Sequence, residues 1–178
     1  MRVTREQVAI NRQRIVDSAI RLFAERGVDG VGVAEVMADA GFTHGGFYNH
    51  FTSKDDLVLE ACSTSFARTV EVLRREGPGE QDAVDSDFGQ CLSAAMLSES
   101  SKNDGALGSV YAKGVRDFLE VLTEQCGSRD RAVAQLAHFV GGRVILRAVE
   151  ASDAELANEF ASGLHPPEEC QPRLQATS

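Results

Sequence analysis

Residues 40–57 read AGFTHGGFYNHFTSKDDL, and the rest of the chain is best understood outward from them. Gly41 stops a short apolar-periodic segment, about Val33–Ala40, that turns Val33, Val36 and Met37 inward. After the Gly41-Phe42 turn, a second short helix is expected from Thr43 or His44 to about His50, with Thr43 as its N-cap. Two short helices around a tight glycine turn spell a helix-turn-helix, whose second member enters the major groove of DNA. That member has an odd composition for a core helix. Gly45 and Gly46 sit in its first turn, where each costs about 1 kcal/mol relative to alanine. The cost makes sense if the backbone must come close to something else. Phe47 and Phe51, four apart, can pack inward together. Tyr48, Asn49 and His50 then point partly outward, with donors suited to phosphate oxygens or base edges. Ser53 through Asp56 reads as a capping box, with the Ser53 hydroxyl accepting from the Asp56 amide and Asp56 reaching back. Lys54, in the same turn, adds a cation for phosphate.

Upstream, Ile15, Ala19, Leu22 and Phe23 fall on one face of a helix expected over about 6–26, and Gly27 supplies its stop. Arg12 and Arg14 either reach phosphate from this helix or form a solvated face. The glycine-rich turn GVDGVG, 27–32, follows a helix instead of a strand, which argues against a nucleotide-binding loop. Downstream, a helix runs from Lys54 to about Arg75. A linker rich in Gly, Pro and acid follows at 75–87. Helical patterns then cover about 88–101, 106–125, 129–150 and 153–164, and 165–178 is a tail expected to be disordered. No period-2 alternation appears, so the fold class is all-α: a three-helix DNA-binding head at 1–53 and a helical body at 54–164.

Bulk properties agree with this division. The net charge over 178 residues is −9, but residues 1–54 carry 7 Lys+Arg against 6 Asp+Glu, while residues 55–178 carry 11 against 21. A near-neutral head on an acidic body suits an oriented DNA binder. Apolar runs are short and interrupted by charge, and the N-terminus has no apolar signal region, so a cytoplasmic protein without membrane association is expected. Cys62, Cys91, Cys126 and Cys170 form no CxxC pair. No ligand set with metal spacing stands out, no nucleophile–base pair is placed by sequence, and no cofactor is expected.

The run 40–57 resembles the signature of TetR/AcrR-family transcriptional repressors: a turn glycine, a glycine-containing recognition helix, aromatic-Tyr-x-His-Phe, then a Ser-Lys-acidic helix start. The resemblance covers about residues 12–60. It implies an all-α homodimer that binds a palindromic double-stranded operator and answers to a small-molecule effector. It places Thr43, His44, Gly45 and Gly46 at base-facing or close-approach positions. Tyr48, Asn49, His50 and Lys54 fall on phosphate-contacting ones. One departure is Val31-Gly32, where the family has a Thr or Ser cap; Gly caps only weakly. CLSAAMLSES (91–100) and the Gly141-Gly142 helix are similar to one subgroup in which a cysteine stands at the position of Cys91. That thiol is either a sensor of oxidants and electrophiles or a small packing residue. A pocket, if formed, is expected among Phe66, Phe88, Cys91, Leu92, Met96, Tyr111 and Phe118, although the stretch between Lys54 and Cys91 is shorter than the subgroup's. Val133, Leu136, Val140, Gly141, Val144, Leu156 and Phe160 form apolar stripes that are either a subunit interface or internal core. Two rival functions stand beside the regulator: a thiol enzyme pairing Cys91 with His138, and a protein-interaction module with a vestigial helix-turn-helix.

Overall fold

The computed structural model describes residues 4–76 and 105–163, and every regular element among them is helical. The elements are α1 (Arg5–Arg26), α2 (Val33–Asp39), a 3-10 helix (His44–Asn49), α3 (Lys54–Glu76), α4 (Ala106–Cys126), α5 (Arg129–Val149) and α6 (Ala154–Gly163). Helix α3 continues through Arg75 and Glu76, so the expected linker does not begin until after them. The remainder of that linker, the helix expected at 88–101 and the tail at 165–178 lie outside the described residues. So do Phe88, Cys91, Leu92 and Met96 of the expected pocket.

Chain contacts divide the described residues into two compact units, 4–68 with 105–114, and 69–76 with 115–163. In the first, α1 starts at Thr4, whose hydroxyl accepts from the Gln7 amide at 3.1 Å. It ends at Gly27, which takes φ of 75° and sends its amide to the Phe23 carbonyl. Its buried stripe is the one expected, with Ile15, Ala19 and Phe23 fully enclosed. Val31, Val36 and Met37 close over it, and Phe47, Phe51, Leu57, Ala61 and Cys62 complete the core. Gly32 caps α2 with its backbone alone, as its lack of a side chain requires.

Phe66, on α3, is buried and meets the Tyr111 ring of α4 edge-on at 5.3 Å. Gly114 lies directly beneath Phe66: a Cβ there would fall 2.2 Å from the ring. The two helices approach so closely at this point that only hydrogen fits.

In the second unit, Val70 and Leu73 of α3 share a core with Phe118, Leu119, Val121 and Leu122 of α4. The Gln125 amide donates to the Leu73 carbonyl at 2.7 Å, and the Cys126 thiol donates to Gln135 Oε1 at 3.0 Å. Gly127, at φ of 67°, ends α4. Asp153 accepts from the Leu156 amide at 3.0 Å and so caps α6. Helix α5 differs from the expectation that no apolar stretch has membrane length. It has 21 residues, with a mean hydropathy of 1.2 over its most apolar window and only 24% of that window buried. Its exposed Val133, Val144 and Ile145, with Leu156 of α6, leave an apolar face uncovered. A groove of about 490 Å³ lies on this pair, lined by Ala137, His138, Gly141, Ile145, Glu159 and Phe160, among others.

Candidate nucleic-acid interface

The turn that presents the second helix is built around Gly41. Its φ is 80°, its amide reaches the Ala38 carbonyl, and the Phe42 amide reaches back to Met37 at 2.8 Å. These bonds close the end of α2 in the manner of a Schellman motif, for which glycine is the natural residue. A Cβ on Gly41 would also lie 3.1 Å from the Arg14 guanidinium.

The recognition segment, His44–Asn49, is a 3-10 helix instead of the short helix of ordinary pitch that the periodicity suggested. Two glycines near its start weaken the wider α-helical turn, and its six residues are too few for many i to i+4 bonds. Thr43 stands at the N-cap position, but its hydroxyl makes no capping bond; its carbonyl instead receives the Gly46 amide at 3.0 Å. The exposed hydroxyl is therefore not consumed by the helix.

The segment has two faces. Phe47 is fully buried, stacked on Phe51 at 5.5 Å between centroids. Thr43, His44, Gly45, Tyr48 and Asn49 are exposed, Tyr48 at 69%. The Tyr48 ring rests edge-on against Phe47 at 5.3 Å, so the inner aromatic supports the outer one. The two glycines, treated alike in the sequence reading, separate here. A Cβ on Gly45 would meet nothing within 4 Å. One on Gly46 would point inward, 3.6 Å from Met37 Cε and 3.9 Å from Thr43 Oγ1.

His50 is half-buried, beside Phe42 at 6.5 Å, and its Nδ1 is enclosed with no hydrogen-bond partner. Burial, and then the Arg12 guanidinium nearby, hold its pKa below the usual histidine value. The shift favours the neutral imidazole over the imidazolium.

The capping box forms in part. Ser53 Oγ accepts from the Asp56 amide at 3.1 Å, but Asp56 reaches back one residue further, to the amide and hydroxyl of Thr52. Lys54 does not extend freely toward solvent. Its Nζ donates to the Val28 carbonyl at 2.7 Å, tying the start of α3 to the glycine-rich turn.

Arg14 stays exposed and Arg12 is half-buried, and both make bonds within the chain. Arg14 donates to the Ala40 carbonyl at 2.9 Å, with its guanidinium over the Phe42 ring. Arg12 grips Glu60 side-on, with Nε 2.9 and 3.0 Å from the two carboxylate oxygens. It also donates to the His50 carbonyl and lies 4.0 Å over the Phe51 ring. Arg21 pairs with Asp39 and Glu25, and Arg26 with Glu35. Sequence reasoning missed these contacts. Arg12 and Glu60 stand 48 residues apart, and helical periodicity reports a residue's face, not its partner on another helix.

Residues 15–61 match the family described as "Bacterial regulatory proteins, tetR family". The HTH-type transcriptional regulator AcrR of Shigella flexneri is 41% identical over 59 residues, covering 33% of this chain and 27% of that protein. Across three curated relatives the chain covers 18%, 27% and 40% of their own lengths. The crystal structure of the reduced form of E. coli NemR is alike in fold, with a TM-score of 0.63 at 19% identity over 89% of this chain and 98% of that one. A structure of the multidrug binding protein EbrR complexed with proflavin is 25% identical, with a TM-score of 0.54 over 86% and 99% of the two chains. The glycine turn, the two-faced recognition segment and the capped start of α3 thus all lie within residues 15–61, the stretch that matches the tetR family of bacterial regulatory proteins.

Proposed function

We propose that this protein is a transcriptional repressor that binds a palindromic operator as a homodimer and releases it when a small molecule binds the helical body. The observation that carries the reading is the outer face of the recognition segment. Thr43, His44, Gly45, Tyr48 and Asn49 stand exposed on one short element, over an inner face locked by Phe47 and Phe51. Exposed donors on a rigid base suit a groove lined with acceptors. In this reading Thr43 and His44 face base edges and Gly45 permits close approach. Tyr48, Asn49 and His50 donate to phosphate, and Lys54 joins them with the donors its Val28 bond leaves over. Gly46 supports the segment from within. The protein works beside its DNA, in the cytoplasm, and assigns no residue to catalysis.

The uncovered apolar face of α5 and α6 supports dimerisation. Val133, Val144 and Leu156 are 48%, 44% and 38% exposed, which is costly unless a second copy covers them. Leu136, Val140, Gly141 and Phe160, half-buried, extend the same surface. A two-fold dimer sets two recognition segments about 34 Å apart, one helical turn of DNA. An effector that prefers another spacing lowers the population of the operator-fitting state. Of the expected pocket lining, Phe66, Tyr111 and Phe118 are the described members, and Phe66 and Phe118 are buried.

The test is binding of purified protein to DNA upstream of its own gene, titrated in salt, beside a Tyr48→Ala, Lys54→Ala double variant. Tight binding of one fragment by the wild type is expected. The variant should be weaker on every fragment, with a salt slope shallower by about 1 from the loss of the one cation. If the wild type binds no fragment above background in reduced or oxidised buffer, the reading fails.

A further inference from the structure

The recognition segment is poorly equipped to hold its own position. It is six residues long, begins with two glycines after its first residue, and has no side-chain cap at Thr43. Its inner face is anchored through Phe47, and the carbonyl of its C-cap, His50, is held from outside by Arg12. One guanidinium plane takes the Glu60 carboxylate of α3 on one edge, the carbonyl of His50 through its remaining terminal nitrogen, and the face of Phe51 at 4.0 Å. His50 is the residue that closes the recognition segment. A single side chain of α1 thus joins the end of that segment to the body of α3.

We propose that Arg12, held in place by Glu60, is the positioning residue that fixes how the recognition segment presents Tyr48 and His50 to DNA. The inference rests on the DNA-binding reading above and deepens it. A planar fork is required for it: lysine carries the charge but cannot engage a carboxylate side-on, a carbonyl and a ring at once. Glu60 makes the distinction from a direct phosphate role sharp. Its side chain is 34% exposed and that of Arg12 33%, so the pair stands at the margin of the core, where removing an acid is electrostatically favourable to a polyanion. If Arg12 touched phosphate itself, neutralising Glu60 would release the guanidinium and strengthen DNA binding. If Arg12 is a clamp, the same change slackens it and weakens binding. The two roles give opposite signs.

The experiment compares wild type, Glu60→Gln and Arg12→Lys on the operator fragment across a salt series, with amide hydrogen exchange on the free proteins. The positioning role predicts binding about tenfold weaker or more for both variants, with a salt slope unchanged because no phosphate-bound cation is lost. It also predicts exchange about tenfold faster at Gly46, His50 and Phe51, whose amides are bonded within the segment and its turn, with Gly27 at the end of α1 unchanged. Glu60→Gln binding as tightly as wild type or tighter overturns the proposal, and so does an Arg12→Lys variant that binds as tightly as wild type. Unchanged exchange at His50 and Phe51 overturns it independently of DNA. A wild type that binds no fragment, while exchange rises in the variants as expected, rejects the DNA reading and supports the clamp.

Discussion

Gly45→Ala should make the free protein more stable and the DNA complex weaker. Among the described residues, a Cβ at Gly45 meets no atom within 4 Å, and Gly45 is not one of the glycines with positive φ. Alanine therefore adopts the native backbone without strain and loses less freedom on folding. At compatible sites this substitution contributes about 0.4–1 kcal/mol. For a chain of this length the gain corresponds to a rise in Tm of roughly 1–4 °C. If the bare backbone at Gly45 exists to let DNA come close, the new methyl stands where a base edge or phosphate belongs, and affinity should fall about tenfold or more, which is about 1.4 kcal/mol. Gly46→Ala is the matched comparison. Its Cβ makes ordinary contacts with Met37 and Thr43 on the inner side, so it should leave affinity unchanged. Thermal melts by circular dichroism and fluorescence anisotropy on labelled operator read the two quantities separately. A Gly45→Ala protein that binds DNA as well as wild type refutes the close-approach argument. One that melts lower refutes the local geometry.

Phe47→Ala removes a ring enclosed on every side and should cost about 3–5 kcal/mol in chemical denaturation; a cost under 1 kcal/mol would mean the recognition segment does not dock as described. Gly114→Ala forces the Phe66 ring to move and should destabilise by about 1–3 kcal/mol, whereas the neighbouring exposed Ala112 should tolerate serine. Val144→Glu, at an exposed apolar position of α5, should convert dimer to monomer in sedimentation without lowering helix content; an unchanged dimer moves the interface elsewhere. The pH dependence has a defined sign. The unfolded His50 gains its proton near 6.5, the folded one only at lower pH, so stability should fall as pH drops below about 6.5. His50→Gln should flatten that limb of the melting profile. Asp39 acts in a lower window. Its hydrogen bond from Ser18, then the one from Arg21, hold its pKa below 3.8, so its contribution is lost only as pH falls through that lower value.

The fold was legible because each helix end carries a local signal. Gly27, Gly41 and Gly127 all take positive φ where a helix stops, and Ser53 caps α3 where the pattern S-K-D-D announced it. The inner aromatics of the recognition segment were legible too, since four-residue spacing alone aligns Phe47 with Phe51. What spacing cannot report is pairing between elements distant in the chain. Arg12 with Glu60, Arg68 with Asp17, and Lys54 with the Val28 carbonyl depend on how helices cross. The pitch of the recognition segment was missed for a different reason: with Phe47 as its one buried residue, six residues carry too little periodicity to separate 3-10 from α geometry. The two glycines looked equivalent because a glycine has no side chain to reveal its facing.

The internal employment of the head's cations has a consequence for how the protein finds its target. Of the Lys and Arg residues in 4–54, Arg12, Arg14, Arg21, Arg26 and Lys54 all bond within the chain. Sequence-independent attraction to duplex scales with the phosphates that such cations neutralise. A head that spends them on its own architecture gains little from random genomic sites. It should slide less and be sequestered less by bulk chromosome, and its residence at an operator should owe more to base-edge contacts that wrong sequences withhold than to its few spare cations. Its occupancy should then follow the fit of the groove more than the ionic state of the cell.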